Sequence, residues 1–203
     1  MFMASISAAG DKIIYSGALI SRPIAVAPGT YLRLPLESPV EAAGYAYFAG
    51  NVGGGLPLPA TSGVVMSTGS FTGFAAKINP GGSGLSYLTY LPKFVSSIAL
   101  DQAADLYLAG ANPDTPIVAC VSKLNPSASG MLWTNNLNGL AESALVNAVD
   151  SSGNVWVTGS TSSSSFPIRV GRTVPEFLVA VNSVGNQIFS ALYPAVHCRF
   201  DRH

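Results

Sequence analysis

The chain of 203 residues repeats two short sequence elements in alternation. The first element has an acid nine residues before a glycine, with an aromatic residue between them; its copies are EAAGYAYFAG (41–50), DQAADLYLAG (101–110) and DSSGNVWVTG (150–159). The second element has four copies, FMASISAAGDKIIYS (2–16), FAAKINPGGSGLSYL (74–88), CVSKLNPSASGMLWT (120–134) and FLVAVNSVGNQIFS (177–190). Repetition at a period of roughly fifty residues restricts the fold to an array of like units.

Each repeat predicts two β-hairpins, because short apolar or alternating segments rich in Val, Ile, Tyr, Phe and Trp are separated by Gly and Pro. The nearest approach to a helical period, 140–149, is interpreted as loop plus strand. The four strands of a repeat are called a to d, and they are typified by 96–100, 106–110, 74–78 and 85–91 in that order. The predicted fold is all-β, a partial β-propeller of about three and a half four-stranded antiparallel blades.

Counting strands along the chain predicts the bounds of these units. A c–d hairpin occupies about 2–16, blades occupy 17–91, 92–137 and 138–192, and a non-repeat tail occupies 193–203, although 17–40 gives no clean first strand. Closed propellers have about four to eight blades, so this ring is incomplete. Its open blade edges favour self-association. Three explanations stay open: a fragment of a longer protein, closure by self-association, and an open arc stabilised by a partner.

The acids of the first element are interpreted as turn residues. Asp150 and Gly153 stand at the first and fourth positions of a type I turn, where Asp accepts a hydrogen bond from the backbone two residues on and Gly supplies a positive φ. Glu41 and Gly44 repeat the pattern, Asp101 keeps the acid but has Ala104 in place of the glycine, and Asn79 begins an equivalent c–d turn. The alternative is a calcium site, but such a loop needs several carboxylates close together and each turn offers one.

The aromatic residue of the first element predicts packing between units. Strands b and c are apolar on both faces in places, which suits a blade enclosed by its neighbours. We therefore expect Tyr47, Tyr107 and Trp156 to pack between blades and not to form a ligand cage.

Composition excludes several classes of protein. Apolar residues make up 48% of the chain and charged residues 10%, so disorder is not expected. Ten basic and ten acidic residues are scattered without a basic stripe, which argues against nucleic acid as a partner. No apolar run predicts a membrane span, and no signal peptide is recognised at the N-terminus. Cys120 and Cys198 are expected to be unpaired thiols.

The residues 150–167 (DSSGNVWVTGSTSSSSFP), the KINP and KLNP strand ends and LSYLTYL at 85–91 together resemble the SBBP-type β-propeller repeat of bacterial proteins. The resemblance covers most of 2–192 and is weakest at 18–60; NHL-type propeller repeats are the second choice. It implies an all-β propeller in an exported or surface-associated bacterial protein, hence an extracellular or cell-surface location. It implies no catalytic residues.

The sequence predicts no catalytic residue, no cofactor-binding residue and no metal ligand. His197, Cys198 and His203 in the tail are too few for a typical four-ligand zinc site, and no histidine lies in the repeats. Enzymes need convergent acids, bases or metal ligands, whereas the acids outside the turns share no place in the repeat.

We therefore expect a binding or scaffold module for a protein or a glycan. The alternative is a hydrolase or lyase housed in the propeller channel, which predicts titratable side chains from more than one blade at the channel mouth.

Overall fold

The computed structural model describes residues 2–6, 9, 11–18, 32–33, 39–53, 57–68, 72–113, 117–137, 141–161 and 176–193. Over these residues the protein is all-β, with fourteen strands, a single 3-10 turn at Pro80–Gly82 and no α-helix, so the predicted fold class is confirmed at this level. The described part of the chain contains no helix long and apolar enough to cross a membrane.

Two strands form an N-terminal hairpin and the other twelve form three antiparallel sheets, each with its strands adjacent in chain order. The hairpin contains β1 (Phe2–Ile6) and β2 (Ile13–Ala18). Sheet 1 contains β3 (Leu32–Arg33), β4 (Ala46–Val52), β5 (Gly73–Ile78) and β6 (Leu85–Leu91). Sheet 2 contains β7 (Phe94–Leu100), β8 (Leu106–Asn112), β9 (Val118–Leu124) and β10 (Met131–Asn136). Sheet 3 contains β11 (Ala141–Val149), β12 (Val155–Thr161), β13 (Glu176–Val181) and β14 (Gln187–Tyr193).

The segment 141–149 differs from the prediction of loop plus strand. It is one continuous strand that pairs with β12 from Ala141 opposite Thr161 to Val149 opposite Val155. Two bulges along this pairing shift its register, and each bulge adds an unpaired residue, which hides the strand pattern in the sequence. The tail residues His197, Cys198 and His203 lie outside the described residues.

The sheets pack face to face, which explains why strands b and c are apolar on both sides. Tyr47 and Leu91 of sheet 1 lie in one buried cluster with Ile98, Leu108 and Leu124 of sheet 2. The opposite face of sheet 2 contributes to a second cluster, which joins it to sheet 3 and includes Tyr107, Val121, Leu137, Val155, Phe177 and Val179. The two central strands of sheet 2, β8 and β9, are therefore buried on both faces.

The remaining face of sheet 1 is also covered. Phe48, Phe74 and Leu88 on this face are at most 3% exposed and pack against Leu58 and Met66 from the segment that joins β4 to β5. Backbone hydrogen bonds link this segment to the edge of β6, from the Thr61 N–H to the Leu88 carbonyl and from the Tyr90 N–H to the Met66 carbonyl. The segment therefore protects an edge strand that exposes unpaired backbone groups in many sheets.

Candidate functional site

The a–b turns of the three sheets surround one open cleft of about 1030 Å³. Its walls are 39–43 between β3 and β4 of sheet 1, 98–104 from sheet 2 and 149–151 from sheet 3. We call this the turn cleft. Glu41, Asp101 and Asp150, the acids of the first repeated element, all line it. The repeat therefore brings three carboxylate-bearing residues, which are far apart in the sequence, to one surface.

Asp150 has the turn role that the sequence predicts. Its Oδ1 accepts hydrogen bonds from the backbone N–H groups of Ser152 and Asn154, both at 2.9 Å, and its Oδ2 accepts one from the Asn154 side chain at 2.8 Å. The Gly153 N–H donates to the Asp150 carbonyl at 2.9 Å, and Gly153 has a φ of 75°. The hydrogen bond from the Asn154 side chain, followed by those from the backbone, lowers the pKa of Asp150 and keeps it ionised at neutral pH.

Asp101 closes its turn in the same way and also binds a lysine. Its Oδ1 accepts hydrogen bonds from the backbone of Ala103 and Asp105, both at 3.0 Å. Its Oδ2 lies 2.9 Å from Lys123 Nζ, which is also 2.8 Å from Asp105 Oδ2. Although burial disfavours the charged lysine, the hydrogen bonds from Lys123 to Asp105 and Asp101 raise its pKa. Lys123 is therefore a fixed cation behind the cleft wall.

Glu41 departs from the expected turn role. The sheet 1 turn is closed by the backbone, from the Gly44 N–H to the Glu41 carbonyl at 2.8 Å. The Glu41 side chain instead accepts a hydrogen bond from the Tyr47 hydroxyl at 2.6 Å and lies 3.4 Å from Lys77 Nζ. The extra methylene of Glu places its carboxylate beyond the turn. Among the described residues it contacts Tyr47 and Lys77, which correspond to Tyr107 and Lys123 of sheet 2.

The aromatic positions of the first element agree in part with the prediction. Tyr47 and Tyr107 are fully buried between sheets, which confirms their packing role. Trp156 is half-buried and contacts Phe189 at a ring separation of 5.8 Å, on the face of sheet 3 that points away from sheet 2. Its packing between sheets is therefore not observed in the described residues.

The turn cleft contains carboxylates that are held in place by fixed partners, next to the apolar ends of strands. Asp101 and Glu41 are paired with lysines, and Asp150 is held by backbone and amide donors. The described residues include no group of three His, Cys, Asp or Glu side chains that could hold a metal ion. Val40 in the wall from sheet 1 is 64% exposed, while Ile98 in the wall from sheet 2 is buried. The cleft therefore provides a surface that a binding partner could contact, and this surface consists of ordered polar turns.

A buried polar group of residues between sheets 1 and 2 was not found by sequence reasoning. Lys93 is 3% exposed and donates hydrogen bonds to Ser122 Oγ and, at 3.5 Å, to Thr134 Oγ1. Burial lowers the pKa of Lys93, and burial raises the pKa of the free thiol Cys120 beside it. The sequence signal that could have revealed this polar group is Lys93 itself, a lysine inside the apolar run at 91–95, which lies outside every repeated element. This group does not line the turn cleft.

Comparison of the chain with protein-family models finds no match. Comparison with curated proteins finds no match either.

Proposed function

We propose that the three sheets are blades of a partial β-propeller of the SBBP repeat type, with bounds 17–91, 92–137 and 138–192, and that β1 and β2 form a c–d half-blade before them. Three observations support this proposal. Each sheet has four antiparallel strands in chain order. The a–b turns lie around one cleft. β2 contacts the c–d turn at Pro80–Gly82, as strand β10 contacts the c–d turn of sheet 3 through the hydrogen bond from Trp133 Nε1 to the Ser183 carbonyl.

We propose further that the chain is a non-catalytic binding or scaffold module, and that the turn cleft receives part of a protein or a glycan. The supporting observation is the lining of the cleft by turns from all three sheets, with exposed Val40 and Ser151 beside carboxylates that already have partners. Loops held on a rigid scaffold are the usual place for binding residues. The same family resemblance supports an extracellular or cell-surface location.

The alternative of a hydrolase or lyase predicts titratable side chains from more than one sheet at one site, and Glu41, Asp101 and Asp150 at the turn cleft have that placement. Their chemistry supports the alternative less well. General acid catalysis needs a carboxylic acid that holds its proton near neutral pH, and this usually comes from burial or from a second carboxylate. The pKa of Asp150 is shifted downward instead. The Asp101 carboxylate lies 2.9 Å from Lys123 Nζ in an ion pair.

A binding screen with two matched variants tests the proposal. The whole chain is screened on a glycan array and by affinity capture from extracellular protein fractions, and hits are measured by titration. Ser151→Arg places a long side chain in the cleft, and Val184→Arg places the same side chain at an exposed turn of sheet 3 outside it. We expect Ser151→Arg to weaken binding about tenfold or more, and Val184→Arg to leave it unchanged.

Equal binding by wild type and Ser151→Arg would move the binding site away from the turn cleft. Release of sugar or cleavage of a bound glycan by the wild-type chain would contradict the non-catalytic role.

A further inference from the structure

In sheet 2, an acid of the a–b turn and two aromatic rings lie around the ammonium group of a lysine. Lys123 Nζ lies 2.9 Å from Asp101 Oδ2 and 4.9 Å from the centre of the Tyr107 ring. Register places Tyr107 on one side of Lys123 and Trp133 on the other, and the two rings are 5.8 Å apart. The ammonium group therefore has a carboxylate and an aromatic pair as its neighbours.

Sheet 1 has the same arrangement at the equivalent positions. Lys77 Nζ lies 3.4 Å from Glu41 Oε2 and 4.9 Å from the centre of the Tyr47 ring. Register places Lys77 between Tyr47 and Tyr87, whose rings are 6.5 Å apart. The repeat thus forms a site for a lysine ammonium group twice, with the same three kinds of neighbour.

Sheet 3 keeps the acid and the two rings but has Ala180 at the position of the lysine. Register places Ala180 between Trp156 and Phe189, whose rings are 5.8 Å apart, as in sheet 2. The Asn154 side chain, then the backbone and, to a lesser extent, the Trp156 indole lower the pKa of Asp150. Asp150 forms no ion pair with any residue that the structure describes.

The rings and the acid of sheet 3 are open to solvent. Phe189 is 41% exposed, and Trp156 and Asp150 are each partly exposed. The equivalent Tyr47 and Tyr107 are fully buried. A ligand in solution can therefore reach the aromatic pair and the carboxylate of sheet 3.

We propose that Asp150, Trp156 and Phe189 bind a primary alkyl ammonium group that does not belong to this chain, the chemical group at the end of a lysine side chain. It takes the place that Lys77 and Lys123 occupy in the other sheets, over the rings and beside the acid. Aromatic faces attract cations, and the carboxylate adds a charge-assisted hydrogen bond.

The hydrogen-bonding capacity of Asp150 allows this contact. Its Oδ2 accepts one hydrogen bond, from the Asn154 side chain at 2.8 Å, and a carboxylate oxygen can accept two. Glu176 is exposed on the same face of sheet 3, opposite Ser160, so the charge of this face also favours a cation over an anion. We call Asp150, Trp156 and Phe189 the ammonium site.

The ammonium site is separate from the proposed role of the turn cleft. Of its three residues only Asp150 lines that cleft. The inference therefore does not depend on what the cleft binds. Because cation–π contacts and ion pairs at exposed positions are individually weak, we expect a dissociation constant of about 1–10 mM for a simple alkyl ammonium ion.

An NMR titration of the whole chain with n-butylammonium chloride, at constant ionic strength, tests the proposal. The chain has two tryptophans, Trp133 and Trp156, so their indole N–H signals are separate reporters. We expect the Trp156 signal, assigned with Trp156→Phe, to shift with saturation at a dissociation constant of about 1–10 mM. The Trp133 signal should stay in place. n-Butanol has the same carbon chain without the charge and should leave both signals unchanged.

Four variants test the parts of the site. Phe189→Ala removes one ring, and Asp150→Asn removes the charge but keeps an oxygen that can accept the turn hydrogen bonds; each should weaken binding about threefold or more. Leu132→Ala is the control for the loss of an exposed apolar side chain, because Leu132 is 53% exposed on β10, and it should bind like wild type. Ala180→Lys restores the lysine of the other two sheets, so its own ammonium group should abolish the shift.

The source of the ammonium group is tested with Nα-acetyl-lysine amide. Tighter binding than n-butylammonium assigns the ligand to a polypeptide, and weaker binding assigns it to a free amine.

The proposal is wrong if n-butylammonium does not shift the Trp156 signal, if n-butanol shifts it equally, or if Ala180→Lys binds like wild type. Because Phe189 is exposed, Phe189→Ala reports on the site even if Ala180→Lys fails to fold.

Discussion

At the scale of single residues, the two carboxylate oxygens of Asp101 have different partners. One accepts the hydrogen bonds that close a turn, and the other forms an ion pair with Lys123. The turn role was predictable, because an Asp followed three residues later by a small residue is a local pattern. The lysine partner was not predictable, because it depends on the register that places Lys123 opposite Tyr107. Lys93 shows the same limit, since only sheet packing determines that it is buried.

Replacing the buried lysine by an apolar residue of similar length is expected to stabilise the protein. Lys93→Met removes an amine whose charge is disfavoured by burial, and Ser122 and Thr134 keep their mutual hydrogen bond at 2.8 Å. We expect the free energy of unfolding at pH 7 to rise by about 1–2 kcal/mol in urea denaturation.

The pH dependence of that gain provides an internal check. The pKa of folded Lys93 lies below the unfolded value of 10.5, so the unfolded chain binds more protons between the two values. Wild-type stability from this group therefore rises with pH across that window, and the advantage of Lys93→Met should shrink as the pH approaches 10.5. The control Lys12→Met, at an exposed position, should change the free energy of unfolding by less than about 0.5 kcal/mol. A larger change in the control, or an advantage of Lys93→Met that is the same at all pH values, would contradict burial of the amine as the cause.

The hairpin turns are the element-scale units of the fold, and the sequence predicted them well. In the a–b and c–d turns of all three sheets, the N–H of the fourth residue donates to the carbonyl of the first. Glycine occupies the fourth position with positive φ in four of these turns, at Gly44, Gly82, Gly153 and Gly185. Alanine occupies it in the other two, with φ of 62° at Ala104 and 55° at Ala128. The hydrogen bonds of the turn thus hold a conformation that alanine disfavours.

Restoring glycine to one such turn is expected to stabilise the protein. In Ala104→Gly the left-handed backbone no longer strains a Cβ, and this gain exceeds the added freedom of the unfolded chain. We expect the free energy of unfolding to rise by about 0.5 kcal/mol in urea denaturation. Ala103→Gly, one residue earlier and without a positive φ, is the control and should lower it by a similar amount. Equal effects of the two substitutions would rule out backbone strain as the cause.

At the scale of the whole molecule, the sheets are joined by buried faces and by a few polar contacts between turns and aromatic side chains. Within sheet 2, Gly110 shows how closely the neighbouring strands β7 and β8 approach, because a Cβ at this position would lie 1.8 Å from the carbonyl oxygen of Phe94. The sequence showed that the first element ends in glycine but not why. Tyr107 links sheet 2 to sheet 3 through the Gly153 carbonyl.

Two tyrosine hydroxyls provide a matched test of this link. Tyr107→Phe removes a hydroxyl that donates to the Gly153 carbonyl at 3.0 Å and lies 3.3 Å from Asp101 Oδ2, and we expect a loss of about 1–2 kcal/mol in the free energy of unfolding. Tyr87→Phe removes a buried hydroxyl that has no hydrogen-bond partner in the described part of the chain, so it should be neutral or stabilising. Thermal and urea unfolding measure both; a larger loss from Tyr87→Phe would contradict the assignment.

The sequence by itself determined the local structure of this protein: hairpins, turn residues and apolar strands, because each depends on residues a few positions apart. The tertiary structure alone decided which groups meet. It brought Glu41, Asp101 and Asp150 to one cleft and buried Lys93 without an acidic partner among the described residues. It also left Phe189 exposed and Trp156 half-buried, whereas the equivalent Tyr47 and Tyr107 are fully buried. These outcomes depend on how whole sheets stack, which involves residues far apart in the sequence and therefore cannot be seen in a local pattern.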